Sequence, residues 1–167
     1  AESAGHAGRL SDALVQRFGH GTVFLDTEAI APGADFAELI RGEVVQASVV
    51  LVLIGRGWAD VVDESGRPRL EDPSDLVRVE VEMALGAPGR VIPVLVQGAA
   101  MPVAGQLPDA VAPLARLNAI ELTDARWAYD VRRLTAVIVG DEHATGHGAR
   151  ATSEDADPLR GRELSHQ

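Results

Sequence analysis

Apolar positions along the chain recur at a helical period and then at a strand period, and this alternation persists to residue 139. Ala7, Leu10, Leu14 and Phe18 share one helical face, so Ala4–Phe18 is predicted as an amphipathic helix with Ser3 as N-cap. Thr22–Leu25 reads as a short strand ended by Asp26. Asp35, with Glu38 three residues on, is a capping box that opens a helix running to about Gln46. Ser48–Ile54 (SVVLVLI) is an unbroken β-branched and apolar run, the pattern of a strand buried on both faces of a parallel sheet. A polar loop covers residues 55–73. Asp72-Pro73 then reads as the N-cap and first position of a helix through Leu85, closed by Gly86. Arg90–Val96 (RVIPVLV) is a second buried strand. A Pro- and Gly-rich loop, a short helix near Asp109–Ala115, a strand over Asn118–Leu122 and a helix over Asp124–Val139 complete the body.

Strands alternating with helices predict an α/β fold, a flavodoxin-like doubly wound parallel sheet. Such sheets open with a strand, whereas this chain opens with a helix. The first strand is therefore expected to be missing, its place being before Ala1. Residues 1–139 form the predicted domain. Residues 140–167 lack large apolar side chains and read as a disordered tail or linker. His143 and His147 in that tail stand at i and i+4, a spacing that suits metal on a helix. Gly146 and Gly148 weaken a helix there and no third ligand is evident, so no metal is predicted.

Composition narrows the chemistry. Across 167 residues the net charge is −10, from 25 Asp+Glu against 15 Lys+Arg, which argues against nucleic acid as a partner. There is no cysteine, hence no thiolate nucleophile and no Cys-ligated metal. There is no lysine either, which excludes Schiff-base chemistry and a Walker-type phosphate loop. Neither GxGxxG nor GxSxG occurs. No apolar run is long enough for a membrane span and no signal peptide is evident, so a cytoplasmic location is expected.

Five ordered blocks carry a family resemblance: SAGHAGRLSDALVQRFG, VFLDTEAIAPGADFAELI, SVVLVLIGRGW, DPSDLVRVEVEMAL and RVIPVLVQGAAMP. Together they resemble a bacterial TIR (Toll/interleukin-1 receptor) domain over residues 3–139. The resemblance implies one of two behaviours. One is cleavage of the nicotinamide–ribose bond of NAD+, by hydrolysis or cyclisation, with NAD+ as substrate and no cofactor, as an effector or signalling output in bacterial immunity. The other is a non-catalytic adaptor acting through homotypic TIR–TIR contacts.

In the first behaviour the catalytic glutamate corresponds to Glu80. On a helical wheel Leu76, Val79, Met83 and Ala84 form an apolar arc that contains Glu80, while Asp75, Arg78 and Glu82 fall opposite and Glu82 reads as a solvated surface charge. A carboxylate on an inward face must find a partner or line a cleft. Its two readings are a buried ion pair and a group that holds ribose hydroxyls and stabilises an oxocarbenium-like charge. Asp26, Ile30 and Gly33 follow the strand at 22–25, the second once the missing first strand is counted; they are explicable as turn chemistry, and by resemblance they border the substrate. Trp58 either packs or stacks on a ring of the substrate, and Trp127 reads as core. The family's aromatic four residues before the glutamate is Leu76 here. Its phosphate-contacting arginines would precede Ala1, which leaves Arg56 and Arg78 as candidates to meet phosphates.

Overall fold

A computed structural model describes residues 3–24 and 46–145, with side chains over 4–24 and 46–140. The described elements are α1 (Ser3–Phe18), β1 (Val49–Ile54), α2 (Leu76–Gly86), β2 (Arg90–Val96), β3 (Ile120–Leu122) and α3 (Trp127–Thr145). Short 3-10 turns cover Trp58–Asp60, Arg69–Glu71, Ala104–Gln106, Ala112–Arg116 and Asp124–Arg126. The strands form one parallel sheet in the order β1-β2-β3, with Val49 opposite Arg90 and Val94 opposite Ile120. This is the α/β, flavodoxin-like arrangement that the alternation predicts.

The period of two along the strands separates two core layers. Ile92, Val94 and Val96 of β2 and Ile120 and Leu122 of β3 meet Leu10 and Leu14 of α1 and Val131 and Leu134 of α3. On the other face, Ile54 of β1 and Val81 of α2 meet Leu70, Leu107, Val111 and Leu114. Each of these side chains, fully buried, contributes about 1.5–3 kcal/mol relative to exposure. Strand β2 is buried as its sequence predicts. Strand β1 is only half-buried except at Ile54. Among the described residues β2 is paired on both sides and β1 only through β2, so the same sequence pattern gives different burial.

Two local expectations are corrected. Thr22 lies in a turn and Val23 and Phe24 in irregular backbone, so the described part of the predicted strand at 22–25 is not a strand. The Thr22 hydroxyl instead donates to the Phe18 carbonyl (2.7 Å), closing the end of α1. The α2 helix begins at Leu76 rather than at Pro73, with Asp75 as N-cap accepting from the Val77 and Arg78 amides (3.0 and 3.4 Å). Asp72 caps a separate turn, accepting from the Ser74 amide and hydroxyl (2.8 and 2.7 Å). The sequence DPSD holds two competent caps, and the second one starts the helix. The short helix near 109–115 is a turn over 109–111 followed by one 3-10 helix, Ala112–Arg116, and the final helix is preceded by another, Asp124–Arg126. The Asp35–Gln46 helix lies outside the described residues except for Gln46, which is helical. The final helix runs to Thr145 rather than ending at Val139, so residues 140–145 of the predicted tail are helical; the rest of the tail lies outside the described residues.

Gly89 sets the start of the β1–β2 pairing. A Cβ there would run into the Ala47 carbonyl, and the next residue, Arg90, donates its amide to the Ser48 carbonyl (2.9 Å). Only a residue without a side chain lets the two backbones approach this closely.

Candidate functional site

The carboxyl edge of a parallel sheet is where open α/β folds bind ligands. At that edge β1 passes into Gly55, Arg56 and Gly57, the last in the left-handed region (φ 65°), and then into the turn that carries Trp58. Trp58 is half-buried and packs on the Ile54, Leu70 and Val81 layer. The loop then forms a compact arm. Val62 and Pro68 make an antiparallel bridge, and Asp63 accepts from the Ser65 hydroxyl (2.6 Å), the Ser65 amide (2.8 Å) and the Arg67 amide (3.0 Å). The Ser65 hydroxyl bond foremost, then the Arg67 amide, hold the Asp63 carboxyl down at about 2.

The arm is fastened to α2 at two points. Arg69 Nε donates to Asp75 Oδ2 (2.7 Å), joining the arm to the helix cap. Arg78 donates through Nη1 to the Leu70 and Glu71 carbonyls (3.2 and 3.0 Å) and through Nε to Glu82 Oε1 (2.6 Å). The expectation that Glu82 is a solvated surface charge is therefore corrected: it is paired to Arg78. The Arg78 side chain is only 16% exposed, because residues 69–71 fold back over that side of the helix.

The buried stripe of α2 is also rotated from the predicted arc. Val81 and Ala84 are buried and Val77 and Leu85 pack on the same layer, whereas Leu76 is exposed. Glu80 is half-buried, roughly 40° round the helix from Ala84, on the flank of the stripe rather than at its centre. It stands in the first half of α2, the half nearer the carboxyl edge, since α2 runs back antiparallel to the strands. Trp58 and Glu80 belong to two elements that meet in one core layer, where Trp58 packs beside Val81 of α2. Asp26, Ile30 and Gly33 lie outside the described residues.

Two features were not singled out in the sequence. Asp130 of α3 is fully buried and accepts the Thr123 amide (3.0 Å) and hydroxyl (2.8 Å) on Oδ2. Those bonds, the backbone one first, hold its carboxyl below the ordinary value. Nothing in its spacing distinguishes Asp130 from a surface residue of the final helix. The second feature is a shallow cleft of about 380 Å³ bordered by Leu85, Gly89, Arg90 and Asn118. It lies at the amino edge of β2, at the end of α2 remote from its cap, and is not continuous with the Trp58 turn. Trp127, read as core, is half-buried, with the Arg9 guanidinium 4.1 Å from its ring centre and His6 tilted against it at 5.9 Å. Arg9 also pairs with Asp124 (2.8 Å), which foremost lowers that carboxyl, so α1 is bound to the start of α3.

Among the described residues no group of three or more His, Cys, Asp or Glu side chains is placed to hold a metal ion. No described helix is long and apolar enough to cross a membrane. No curated protein matches the chain. A family model described as "TIR domain" matches residues 1–135, a span that takes in the sheet, the clamped loop and α2 with Glu80. The chain therefore belongs to the TIR domain family.

Proposed function

We propose that this TIR domain releases nicotinamide from NAD+, with Glu80 as the catalytic residue. The observation that supports this reading is a half-buried carboxylate on the first half of α2, beside the carboxyl edge of the sheet. In the proposed reaction the Glu80 carboxylate accepts hydrogen bonds from the ribose hydroxyls and faces the positive charge that develops at C1′. The bond from C1′ to the nicotinamide nitrogen breaks, and its electron pair leaves with nicotinamide. Water adds at C1′ and loses a proton, giving ADP-ribose, or an adenine nitrogen adds instead and gives a cyclic product. A fixed negative charge aimed at such a centre is commonly the largest catalytic contribution. Trp58 forms one wall of the site, and Asp26, Ile30 and Gly33 border the substrate. Self-association through TIR–TIR contacts is part of the proposal, as the gate that raises activity.

The test is nicotinamide release from NAD+, followed by chromatography over a range of protein concentrations, with Glu80→Gln alongside. Release that disappears in Glu80→Gln and rises more than linearly with concentration is expected. No release at any concentration from folded protein would sink the enzyme reading and leave the adaptor.

A further inference from the structure

The two arginines that the sequence offers for phosphate contact have different fates. Arg78 is committed to the Leu70 and Glu71 carbonyls and to Glu82. Arg67 and Arg69 on the same arm are held by Asp63 and Asp75. Arg56 is exposed and has no carboxylate partner among the described residues. It stands two residues beyond Ile54, which pairs with Leu95, so it is level with Gln97 at the carboxyl edge of the central strand.

That edge has an unusual backbone. Gln97 and Gly98 are both in the left-handed region, at φ 60° and 66°, and the Ala99 amide donates to the Val96 carbonyl (3.0 Å) to close the turn. Gln97 is the sole non-glycine with positive φ among the described residues. Strained residues of this kind concentrate where a ligand is met. The Arg56 guanidinium lies across the turn, with Nη2 3.5 Å from the point where a Gly98 Cβ would stand. A bare glycine thus lies under a guanidinium fork that has no carboxylate partner among the described residues, at the sheet edge where such folds bind ligands.

We propose that Arg56, lying over the Gln97–Gly98 turn, is the subsite for the diphosphate of a dinucleotide substrate. This rests on the nicotinamide-releasing reading and deepens it by assigning the anionic half of the substrate. Glu80 takes the nicotinamide-side ribose and Arg56 takes the phosphates. A guanidinium presents two parallel donors to phosphate oxygens, so a single arginine suffices for an oriented contact. Gly98 keeps the surface under the fork low enough for the phosphates to be reached.

The experiment compares two substrates, NAD+ and nicotinamide riboside, which carries the same scissile bond and no phosphate. With the full chain and its Arg56→Gln and Arg56→Lys variants, kcat and KM are measured for both, and ADP-ribose binding is followed by calorimetry. In Arg56→Gln the ratio of kcat/KM for NAD+ to that for nicotinamide riboside is expected to fall about ten-fold or more, through KM. Arg56→Lys recovers part of the loss. ADP-ribose binding weakens in parallel. An unchanged ratio in Arg56→Gln, or equal losses on both substrates, would overturn the subsite. If the wild-type chain turns over neither substrate yet binds ADP-ribose through Arg56, the hydrolase reading fails and the subsite stands. If the wild type does not bind ADP-ribose, the subsite fails.

Discussion

Thr123 donates both its amide and its hydroxyl to one oxygen of Asp130, which is buried without any exposed surface. Thr123 directly follows β3 and Asp130 is in the first turn of α3, so the two bonds fix the angle at which the last helix leaves the sheet. Among the described residues the second oxygen, Oδ1, has no hydrogen-bond partner, and the Arg133 guanidinium stands 4.0 Å from it. Asp130→Ala is expected to lower the melting temperature by several degrees, since it leaves the Thr123 amide and hydroxyl without their acceptor. Thr123→Ser, which keeps both donors, is expected to fall well short of that loss. Equal losses in the two variants would show that packing rather than hydrogen bonding matters at this joint.

Acid sensitivity follows from the same group and from Asp63. Both carboxyls titrate below their ordinary value of 3.8 in the folded chain, Asp63 at about 2. For a carboxyl with a depressed folded value, the stabilisation is complete above the unfolded value and disappears as pH falls through the folded one. These groups are thus expected to contribute their full stabilisation at neutral pH, where stability does not vary with pH on their account, and stability is expected to decline below about pH 4. Urea midpoints between pH 7 and pH 2.5 measure it. Asp130→Asn should flatten the acid limb, and an unaltered limb would remove Asp130 from the account.

The clamp at Arg78 is open to a direct test. Its side chain bridges two carbonyls and a carboxylate while mostly buried, so Arg78→Ala is expected to cost about 2 kcal/mol. For a domain of this size that is roughly 4–8 °C in melting temperature. Glu82→Gln keeps an acceptor but removes the charge from one of the three contacts, an exchange worth about 0.5 kcal/mol at i,i+4 spacing. Limited proteolysis of Arg78→Ala should cut first between residues 60 and 72, where the arm is released from α2. Cleavage elsewhere would mean that Arg78 does not hold the arm.

How much of this was legible in the sequence depended on whether a feature is periodic or made by tertiary contact. The β2 strand, the Leu10–Leu14 face of α1 and the parallel order follow from repeats of two and 3.6 residues. The α2 stripe was misplaced because the pattern LVRVEVEMAL has apolar residues nearly all round, so periodicity alone cannot say which side faces the sheet. Arg78 reads as a surface charge on a wheel, and only the return of residues 69–71 over the helix buries it. Asp130 was invisible for a similar reason, because its partner lies across a chain reversal. Glu80 is singled out by resemblance together with its place on the wheel, and its half-burial is a milder version of the inward position inferred from that wheel.

Glycine substitutions separate close approach from simple flexibility. Gly89→Ala places a methyl against the Ala47 carbonyl and is expected to destabilise by about 1–3 kcal/mol, as overpacking does. Gly86, the last residue of α2, has open space where its Cβ would stand and no left-handed φ. Gly86→Ala is expected to stabilise by about 0.4–1 kcal/mol by reducing the freedom of the unfolded chain. Denaturant melts of the pair settle it, since a common sign would show that the Ala47 contact does not govern the start of the β1–β2 pairing.

The prediction with most bearing on function compares Glu80→Gln with Glu80→Asp. Gln keeps size and hydrogen-bonding capacity but removes the charge, so it isolates the electrostatic contribution to nicotinamide release. A loss of about 10²–10³ in kcat is expected for an interaction made mainly in the transition state, with KM for NAD+ changing far less. Asp keeps the charge but withdraws it by about one methylene, and a misplaced group of this kind is expected to lose about 10²-fold as well. If both variants lose kcat while the Arg56→Gln chain loses KM, charge at Glu80 and anion capture at Arg56 are separate parts of one site. If Glu80→Gln instead retains full turnover, the carboxylate is only a structural group on the flank of α2, and any activity must come from another side chain.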